Sequence, residues 1–552
     1  MIKKIRKRDG RVVTFNLDKI TNAIFKAAQS VGGSDYAEAE RIAELACDEI
    51  EKRIPHGIPT VEQVQDAVEY VLSEQGHSRT VKSYILYRAD RTRTREMNTS
   101  LMDIYKDLTY KSAKDNDVKR ENANIDGDTA MGTMLKYGSE GAKMFNKLFV
   151  LKKEHAEAHE RGDIHIHDLD FLTLTTTCCQ IDLIKLFENG FSTGNGFIRE
   201  PNDISSYSAL CAIAIQSNQN DQHGGQSIPN FDYAMAKGVR KTYEKKYLEN
   251  LARALEMEGF ADTQPLLKET CSNLKATVVL EMKENGYTEA ELQALKQHFP
   301  EESVRKAQAF ARKYALKETD RATFQAMEAL IHNLNTMHSR AGAQIPFSSI
   351  NYGLDTTPEG RMVIKNVLLA QERGLGNGET PIFPIHIFKV KEGINYNEGE
   401  PNFDLFRLAI RVSAKRLFPN FSFMDAPFNL QYYKEGDYNS EVAYMGCRTR
   451  VMANSYAPDK EVVCGRGNLS FTSINLPRLG IEAKGDLDKF FADLDRMLEL
   501  CADQLMDRYR VQARKKVRNY PFLMGQGVWI DSDKLDIDDE VGEVLKHGTL
   551  TV

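Results

Sequence analysis

The sequence predicts an α/β fold preceded by a small, mainly helical module. The chain has 552 residues, more than a single domain usually contains, so we expect at least two folding units. Residues 1–95 carry apolar side chains three and four positions apart, which is typical of amphipathic helices. Residues 125–552 alternate short β-branched segments with helical ones and many Gly/Pro turns, which is typical of an α/β domain. Residues 96–124 are charged and lack this periodicity, so we expect a linker there.

The composition argues against several broad classes of protein. Hydrophobic residues make up 41% and charged residues 28% of the chain, as in an ordinary globular protein. The net charge of −6 gives no general reason to expect nucleic-acid binding. No apolar run approaches the roughly 20 residues that span a bilayer, and no apolar stretch follows the basic N-terminus as in a secretory signal. We therefore expect a cytoplasmic protein that binds neither membranes nor nucleic acids.

The N-terminal module is predicted to begin with a β-hairpin and to continue with four helices. Asp9-Gly10 favours the tight turn that joins two short strands, and residues 12–15 are β-prone enough to form the returning strand. The helices are expected to open near Asn16, to cover Ala37–Ile54 and Val61–Gln75, and to include Tyr84 and Arg88.

Three cations, Lys7, Arg8 and Lys19, lie around that turn and the start of the first helix. Backbone amides at a glycine turn and at a helix N-terminus are donors for phosphate oxygens, so the arrangement is compatible with a nucleotide site. A solvated basic surface is the alternative, and charge alone favours it.

A histidine-containing strand is predicted within Gly162–Phe171. His165 and His167 would point to the same face, because side-chain direction repeats every second residue. Such a pair can bind a divalent metal ion, but no further set of ligands is evident to complete the coordination sphere. We therefore favour hydrogen-bonding roles at a strand end and assign no metal site in this chain.

The eight cysteines include no Cys-x-x-Cys pair, so zinc-ribbon or thioredoxin-like chemistry is not indicated. Cys178 and Cys179 are adjacent, and with Cα atoms only about 3.8 Å apart they are unsuited to a mutual disulfide. On a strand, one would face a site and the other the opposite side. Cys447 lies in a tight turn beside Gly446, and Asn468 follows closely. A thiol there could act as a nucleophile, a metal ligand or a hydrogen-atom donor.

The N-terminal module resembles the ATP-cone, an allosteric nucleotide-binding domain. The resemblance lies in Lys-Arg-Asp-Gly, a short strand, Asn-Leu-Asp-Lys-Ile and a distal Tyr-x-x-Tyr-Arg, and it covers nearly all of residues 1–95. It implies that ATP or dATP is contacted by Lys7, Arg8, Asp9, Gly10, Asn16, Lys19 and Arg88.

The whole chain resembles the large catalytic subunit of the anaerobic (class III) ribonucleoside-triphosphate reductases, which are glycyl-radical enzymes. Besides the cone, the resemblance is carried by Gly-Asp-Ile-His-Ile-His-Asp-Leu-Asp, Cys-x-x-Ile-Asp, Met-Gly-Cys-Arg and Asn-Leu-x-x-x-Ser-Ile-Asn-Leu-Pro-Arg, in this order, starting at residues 162, 178, 445 and 468. It implies an α/β barrel of ten strands, built from two half-barrels of parallel strands, with the Cys447 loop in its middle. Such enzymes replace the ribose 2′-hydroxyl by hydrogen.

The resemblance also implies roles for three residues. Cys447 matches the cysteine that becomes a thiyl radical and removes the substrate 3′-hydrogen. Cys178 matches a second cysteine, which supplies a hydrogen atom on the opposite face of the ribose. Asn468 matches a carboxamide that hydrogen-bonds the ribose hydroxyls and orients formate. Since the second cysteine and the asparagine are both present, formate is the expected reductant.

The resemblance further implies a homodimer or higher oligomer, ribonucleoside triphosphates as substrates, ATP and dATP as effectors, and a radical-SAM activating enzyme as partner. A second nucleotide site, which controls substrate specificity, is expected, and we place it among the helices between 101 and 190. The family's C-terminal glycyl-radical loop and its four-cysteine zinc site have no match in residues 1–552. We therefore expect the glycyl radical and the zinc ion in a region missing from this chain.

Two other classes of function are alternatives to the reductase. A metal-dependent hydrolase would use His165 and His167, and it would require a stoichiometric divalent ion there. A non-enzymatic nucleotide sensor would also carry an ATP-cone, but it would need a zinc ribbon and a much shorter chain. Neither agrees with the motifs as well as the reductase.

Overall fold

The computed structural model describes residues 2–7, 11–55, 57–110, 130–261, 263–272, 274, 280, 286–338, 344–446 and 449–552. Contacts between Cα atoms divide the chain into two compact units, Met1–Tyr110 and Lys111–Val552. Each unit is described by itself.

The first unit is a β-hairpin followed by four helices, as predicted. Its elements are β1 (Lys4–Arg6), β2 (Val12–Thr14), α1 (Asp18–Gln29), α2 (Tyr36–Arg53), α3 (Val61–Glu74) and α4 (Ser78–Tyr110). Strands β1 and β2 pair in antiparallel fashion. Helix α3 begins where it does because Thr60 and Gln63 form a reciprocal capping box. Helix α4 continues to Tyr110, so the linker expected from residue 96 is helical over its first part.

The periodic apolar residues of this unit form its core. Ile24 on α1, Ile42 and Ala43 on α2 and Val68 on α3 are all buried in one cluster, together with Tyr84 on α4. The helical faces predicted from spacing are therefore the faces that pack.

The second unit contains fourteen helices among the residues described. They are α5 (Ala130–Phe145), α6 (Lys153–Arg161), α7 (Leu183–Asn189), α8 (Ile204–Asp221), α9 (Phe231–Met257), α10 (Thr263–Ser272), α11 (Tyr287–Leu295), α12 (Glu301–Thr336), α13 (Pro358–Arg373), α14 (Phe403–Arg416), α15 (Pro427–Leu430), α16 (Leu476–Ala483), α17 (Leu487–Ala513) and α18 (Gly542–Leu545). No described helix is both long and apolar enough to cross a membrane.

Twelve short strands accompany these helices over the described part of the unit. They are β3 (Ile164–Ile166), β4 (Cys179–Gln180), β5 (Phe191–Ser192), β6 (Phe197–Ile198), β7 (Gln226–Ile228), β8 (Ser348–Tyr352), β9 (Ile385–Val390), β10 (Asn420–Phe423), β11 (Tyr444–Met445), β12 (Thr449–Arg450), β13 (Asn468–Ile474) and β14 (Thr549–Thr551).

The largest sheet has five strands in the order β10-β9-β8-β7-β4, and all neighbours are parallel. Helices connect each successive pair, as parallel pairing requires. Helix α13, for example, opens where Thr357 accepts a hydrogen bond from the Gly360 amide and Pro358 occupies the first turn.

A second sheet, β14-β13-β3, lies beside strand β4 of the first. Strand β13 is parallel to β14 and antiparallel to β3. The two sheets are joined by backbone hydrogen bonds from the Cys178 amide to the Asn468 carbonyl (3.0 Å) and from the Gln180 amide to the Arg466 carbonyl (2.9 Å). Cys178 and Asn468 therefore meet at the junction of the sheets.

The α/β class and the helical N-terminal unit are confirmed. The ten-stranded barrel is not: the described residues form a five-stranded sheet as their largest, and no closed barrel. The main core packs the apolar faces of the five-stranded sheet against helices such as α8, α9, α13 and α14. Helices α9 to α12 enclose a separate cluster around Tyr247 and Leu251.

Candidate active site

The hairpin β11–β12, on either side of Cys447, is held by polar side chains of the five-stranded sheet. The Tyr444 carbonyl accepts hydrogen bonds from Ser227 Oγ (2.9 Å) and Asn351 Nδ2 (3.0 Å), and the Tyr444 amide donates to Asn351 Oδ1 (2.9 Å). The Gly446 amide donates to Ser349 Oγ (3.1 Å). Because all of these groups are buried or nearly so, the hairpin has a defined position on strands β7 and β8.

Position 446 has no room for a side chain. Its φ is +20°, and a Cβ atom there would lie 2.7 Å from the Phe347 ring and 3.4 Å from the Gly225 Cα. Cys447 itself lies outside the described residues, as does Arg448. The residue before Cys447 thus packs directly against the backbone of Gly225.

Cys178 is buried beside the same hairpin. Its Sγ accepts a hydrogen bond from the Gly225 amide (3.3 Å), and its side chain clusters with Met445 and Val451. Cys179 belongs instead to the main hydrophobic core, where burial raises the pKa of its thiol. The prediction that the two cysteines face opposite sides is confirmed.

The backbone carbonyl of Asn468 accepts a hydrogen bond from the Cys178 amide. The Asn468 carboxamide is hydrogen-bonded to two other residues. Oδ1 accepts from the Ser470 amide (2.9 Å), and Nδ2 donates to Thr551 Oγ1 (2.8 Å). At the neighbouring Gly467, a Cβ atom would overlap the Cys178 carbonyl, so only glycine permits this approach. The structure therefore brings Cys178, Asn468 and the residues flanking Cys447 together, and their common catalytic role stays a prediction.

A buried ion pair at the root of the hairpin was missed from the sequence. Lys389 Nζ lies 2.8 Å from Glu441 Oε2, and the Tyr233 hydroxyl donates to Glu441 Oε1 (2.7 Å). The side chain of Lys389 is 0% exposed and that of Glu441 6% exposed. Burial raises the pKa of Glu441, and the charge of Lys389 acts in the opposite direction. A lysine inside the mainly apolar strand β9 is the signal that could have identified it.

The polar residues that hold the hairpin were also missed. Ser349 and Asn351 stand two positions apart within the wholly buried strand β8, and Ser227 lies on β7. Polar side chains repeating on one face of a buried strand need partners, which is the signal that could have revealed them.

His165 and His167 share one face, as predicted, with ring centroids 4.5 Å apart. His165 is exposed, and His167 Nε2 lies 2.8 Å from Ser473 Oγ. Burial lowers the pKa of His167. Among the described residues, one group of three side chains could share a metal ion, Glu154, His155 and Asp503, and it contains neither histidine of the strand.

The predicted nucleotide contacts of the first unit are partly described. Lys7 follows β1, and its amide donates to the Arg11 carbonyl (2.8 Å) across the hairpin. The Asn16 side chain accepts from the Lys19 amide (3.2 Å) at the start of α1. Arg88 on α4 forms ion pairs with two carboxylates of α3, Asp66 (2.6 Å) and Glu69 (2.8 Å). Arg8, Asp9 and Gly10 lie outside the described residues.

Comparison with known proteins gives two family matches for this chain. Residues 121–552 match the family described as anaerobic ribonucleoside-triphosphate reductase, and residues 3–93 match the ATP cone domain. The anaerobic ribonucleoside-triphosphate reductase of Haemophilus influenzae is 29% identical over 549 residues, which are 99% of this chain and 68% of the relative.

Among solved structures, the chain also matches an anaerobic ribonucleotide reductase (14% identity, TM-score 0.49), with 78% of this chain and 59% of the other chain covered. Another is the anaerobic ribonucleotide reductase from Thermotoga maritima in complex with dATP and CTP (14% identity, TM-score 0.48), where the match covers 83% of this chain and 66% of the other. This chain thus spans about three-fifths to two-thirds of those proteins. On the strength of the two family matches, the chain belongs to the anaerobic ribonucleoside-triphosphate reductase family and carries an ATP cone domain in its N-terminal unit.

Proposed function

We propose that the protein reduces ribonucleoside triphosphates to 2′-deoxyribonucleoside triphosphates under anaerobic conditions. The observation that carries the proposal is the docking of the Cys447-flanking hairpin on Ser349 and Asn351, with Gly446 against the backbone that holds the Cys178 thiol. A buried thiol beside this hairpin, with a second cysteine between β11 and β12 in the sequence, would suit a reaction that removes and returns hydrogen atoms on two sides of one sugar. Metal-ligand or nucleophile roles for Cys447 have no comparable support among the described residues.

In the proposed reaction, the Cys447 thiyl takes the substrate 3′-hydrogen and returns it at the end. The 2′-hydroxyl leaves as water, and Cys178 delivers hydrogen to the 2′ carbon. Formate supplies the two electrons: one formate and one proton convert the alcohol to the deoxy carbon, carbon dioxide and water. Asn468 is proposed to orient formate and the ribose hydroxyls, for which its carboxamide would exchange its bonds to Thr551 and Ser470.

We infer a ten-stranded barrel around this site. The five parallel strands from β4 to β10 would form one half, and β13 and β14 would begin the other. The hydrogen bonds between Cys178 and Asn468, and between Gln180 and Arg466, support the antiparallel junction that such halves need. The glycyl radical, made by a radical-SAM activating enzyme, and the zinc site are proposed to lie outside residues 1–552, and the enzyme is proposed to work as a homodimer or higher oligomer.

Formate dependence should disappear with the Cys178 thiol. In the activated enzyme, Cys178→Ala is expected to lower deoxynucleotide formation to background, because Cys178 is the thiol that clusters with Met445 and Val451 next to the Cys447 turn. The measurement is deoxynucleotide formed together with labelled carbon dioxide released from labelled formate. Cys501→Ala, which removes a buried thiol from another cluster, should keep both products in equal amounts. Full formate-linked turnover by Cys178→Ala would refute the assignment.

The ATP cone is proposed to regulate the enzyme, with ATP activating and dATP inhibiting. The effector site would comprise the hairpin turn at Lys7, Arg8, Asp9 and Gly10 with Asn16 and Lys19, while Arg88 would have to exchange a carboxylate partner for a phosphate. Deleting residues 1–95 is expected to abolish dATP inhibition and leave uninhibited turnover. Activity titrated against dATP provides the measurement, and persistent inhibition would place the control elsewhere.

A further inference from the structure

A cleft of about 320 Å³ lies in the second unit between α6 and the C-terminal part of α17. Its lining contains none of the residues assigned to the proposed active site. Its lining combines apolar side chains, such as Val150, Leu172 and Val511, with the cations Lys152, Arg508 and Arg514.

The innermost cation of the cleft is Arg508, which is 3% exposed. Its Nη1 donates to the His167 carbonyl (3.1 Å) and to Ser470 Oγ (2.8 Å). Its Nε and Nη2 are buried and find no hydrogen-bond partner among the described residues. Burial lowers the pKa of Arg508 to about 10, so the side chain remains charged at neutral pH. A buried guanidinium with two unpartnered nitrogen atoms, which together carry three N–H groups, lacks part of its hydrogen bonding.

Nearby carboxylates are committed to other groups. Asp168 and Asp170 favour the charge of Arg508 electrostatically. The Asp168 carboxylate, however, lies 3.0 Å from His223 Nε2, and Asp170 accepts a hydrogen bond from Ser139 (2.6 Å). Neither supplies the missing hydrogen bonds to Arg508 Nε and Nη2.

A second unused donor lines the same cleft. Gln504 is 1% exposed, and its Oε1 accepts from Thr472 Oγ1 (2.6 Å), while its Nε2 has no partner among the described residues. Gln504 and Arg508 are four residues apart on α17, so they lie on the same face of the helix.

The charges around the cleft favour an anion. Lys152, Arg508, Arg510 and Arg514 line it, against the single lining carboxylate of Asp507. Asp507 is shared by Lys152 (2.9 Å) and Arg510 (2.7 Å). Arg514 is exposed and forms no ion pair within the described structure. The lining thus has more cations than its own carboxylate can neutralise.

Binding of a metal cation in this cleft is disfavoured. Asp503, which could share a metal ion with Glu154 and His155, already lies 2.5 Å from Lys152 Nζ. The ammonium group of Lys152 therefore occupies the position that a metal ion would compete for.

We propose that this cleft binds a small phosphorylated molecule with an apolar body. The phosphate would accept hydrogen bonds from Arg508 and Gln504, because a planar guanidinium matches phosphate oxygens in pairs. Arg510 and Arg514 would attract it at the mouth, and Val150, Leu172 and Val511 would contact the apolar part. This inference does not depend on the proposed reductase activity.

Phenyl phosphate is the probe for this proposal, since it carries one phosphate on an apolar ring and is not a nucleotide. Binding to the full chain is followed by phosphorus NMR and isothermal titration calorimetry. Arg508→Gln is expected to weaken binding about tenfold or more, by loss of charge-assisted hydrogen bonds. Arg514→Ala should weaken it about two- to fivefold, as for an exposed ionic contact. Phenol, which lacks the phosphate, should not compete.

Arg496→Ala is the matched control, because Arg496 is an exposed arginine of the same helix outside the cleft. It should bind phenyl phosphate as the unmodified protein does. If Arg508→Gln does not fold, as judged by circular dichroism, Arg514→Ala and the double variant with Arg510→Ala still test the site. Absence of binding to the unmodified protein, or equal binding by the cleft variants and the control, would overturn the proposal.

Discussion

Replacing Cys447 by serine is expected to abolish nucleotide reduction while glycyl-radical formation in the activated enzyme stays intact. The oxygen–hydrogen bond of serine is much harder to break homolytically than the sulfur–hydrogen bond of cysteine. The substitution is nearly isosteric, and the hairpin contacts of Tyr444 and Gly446 use backbone atoms, so the loop should keep its place. Deoxynucleotide formation and the radical signal in electron paramagnetic resonance provide the two measurements.

Cys464→Ala is the matched control for that experiment. Cys464 is buried close along the chain, and its Sγ is contacted by Asn230 Nδ2 (3.7 Å), without a proposed part in the reaction. The control should retain turnover. Undiminished turnover by Cys447→Ser would contradict the radical assignment, whereas loss of the glycyl radical as well would point to failed activation instead.

Breaking the ion pair at the root of the hairpin should have the second large effect. Lys389→Met leaves the Glu441 carboxylate buried without its cation, which is expected to cost about 3–5 kcal/mol of unfolding free energy. Turnover should fall too, because residues 441–446 position the Cys447 loop on the sheet. Denaturant unfolding and the activity of the folded fraction give the two readouts.

Three further variants define that effect. The double replacement of Lys389 by Met and Glu441 by Gln removes both charges and should recover much of the lost stability. Tyr233→Phe removes one hydrogen bond to Glu441 and should cost about 1–3 kcal/mol. Glu301→Ala breaks an exposed pair with Arg305 and should cost at most about 1 kcal/mol. If Lys389→Met is no more destabilising than Glu301→Ala, the pair does not secure the hairpin.

The local structure of the first unit follows closely from its sequence. The turn at Asp9-Gly10 predicts the β1–β2 pairing, and the apolar spacing predicts helices close to those of α1, α2 and α3. These features depend on residues near one another in the chain, so local propensity and periodicity are sufficient. The end of α4 was misjudged, because a charged, weakly periodic segment can still continue a helix that has already begun.

The sequence by itself determined the family, the α/β class and the opposite orientations of Cys178 and Cys179, since motif order and strand alternation are readable along one chain. Only the tertiary structure decided what surrounds those residues. Ser349 and Asn351 hold the hairpin, Lys389 meets Glu441, and two nitrogen atoms of Arg508 have no hydrogen-bond partner among the described residues. Each of these facts depends on buried polar groups from distant segments, whose pairing is set by packing in three dimensions rather than by spacing in sequence.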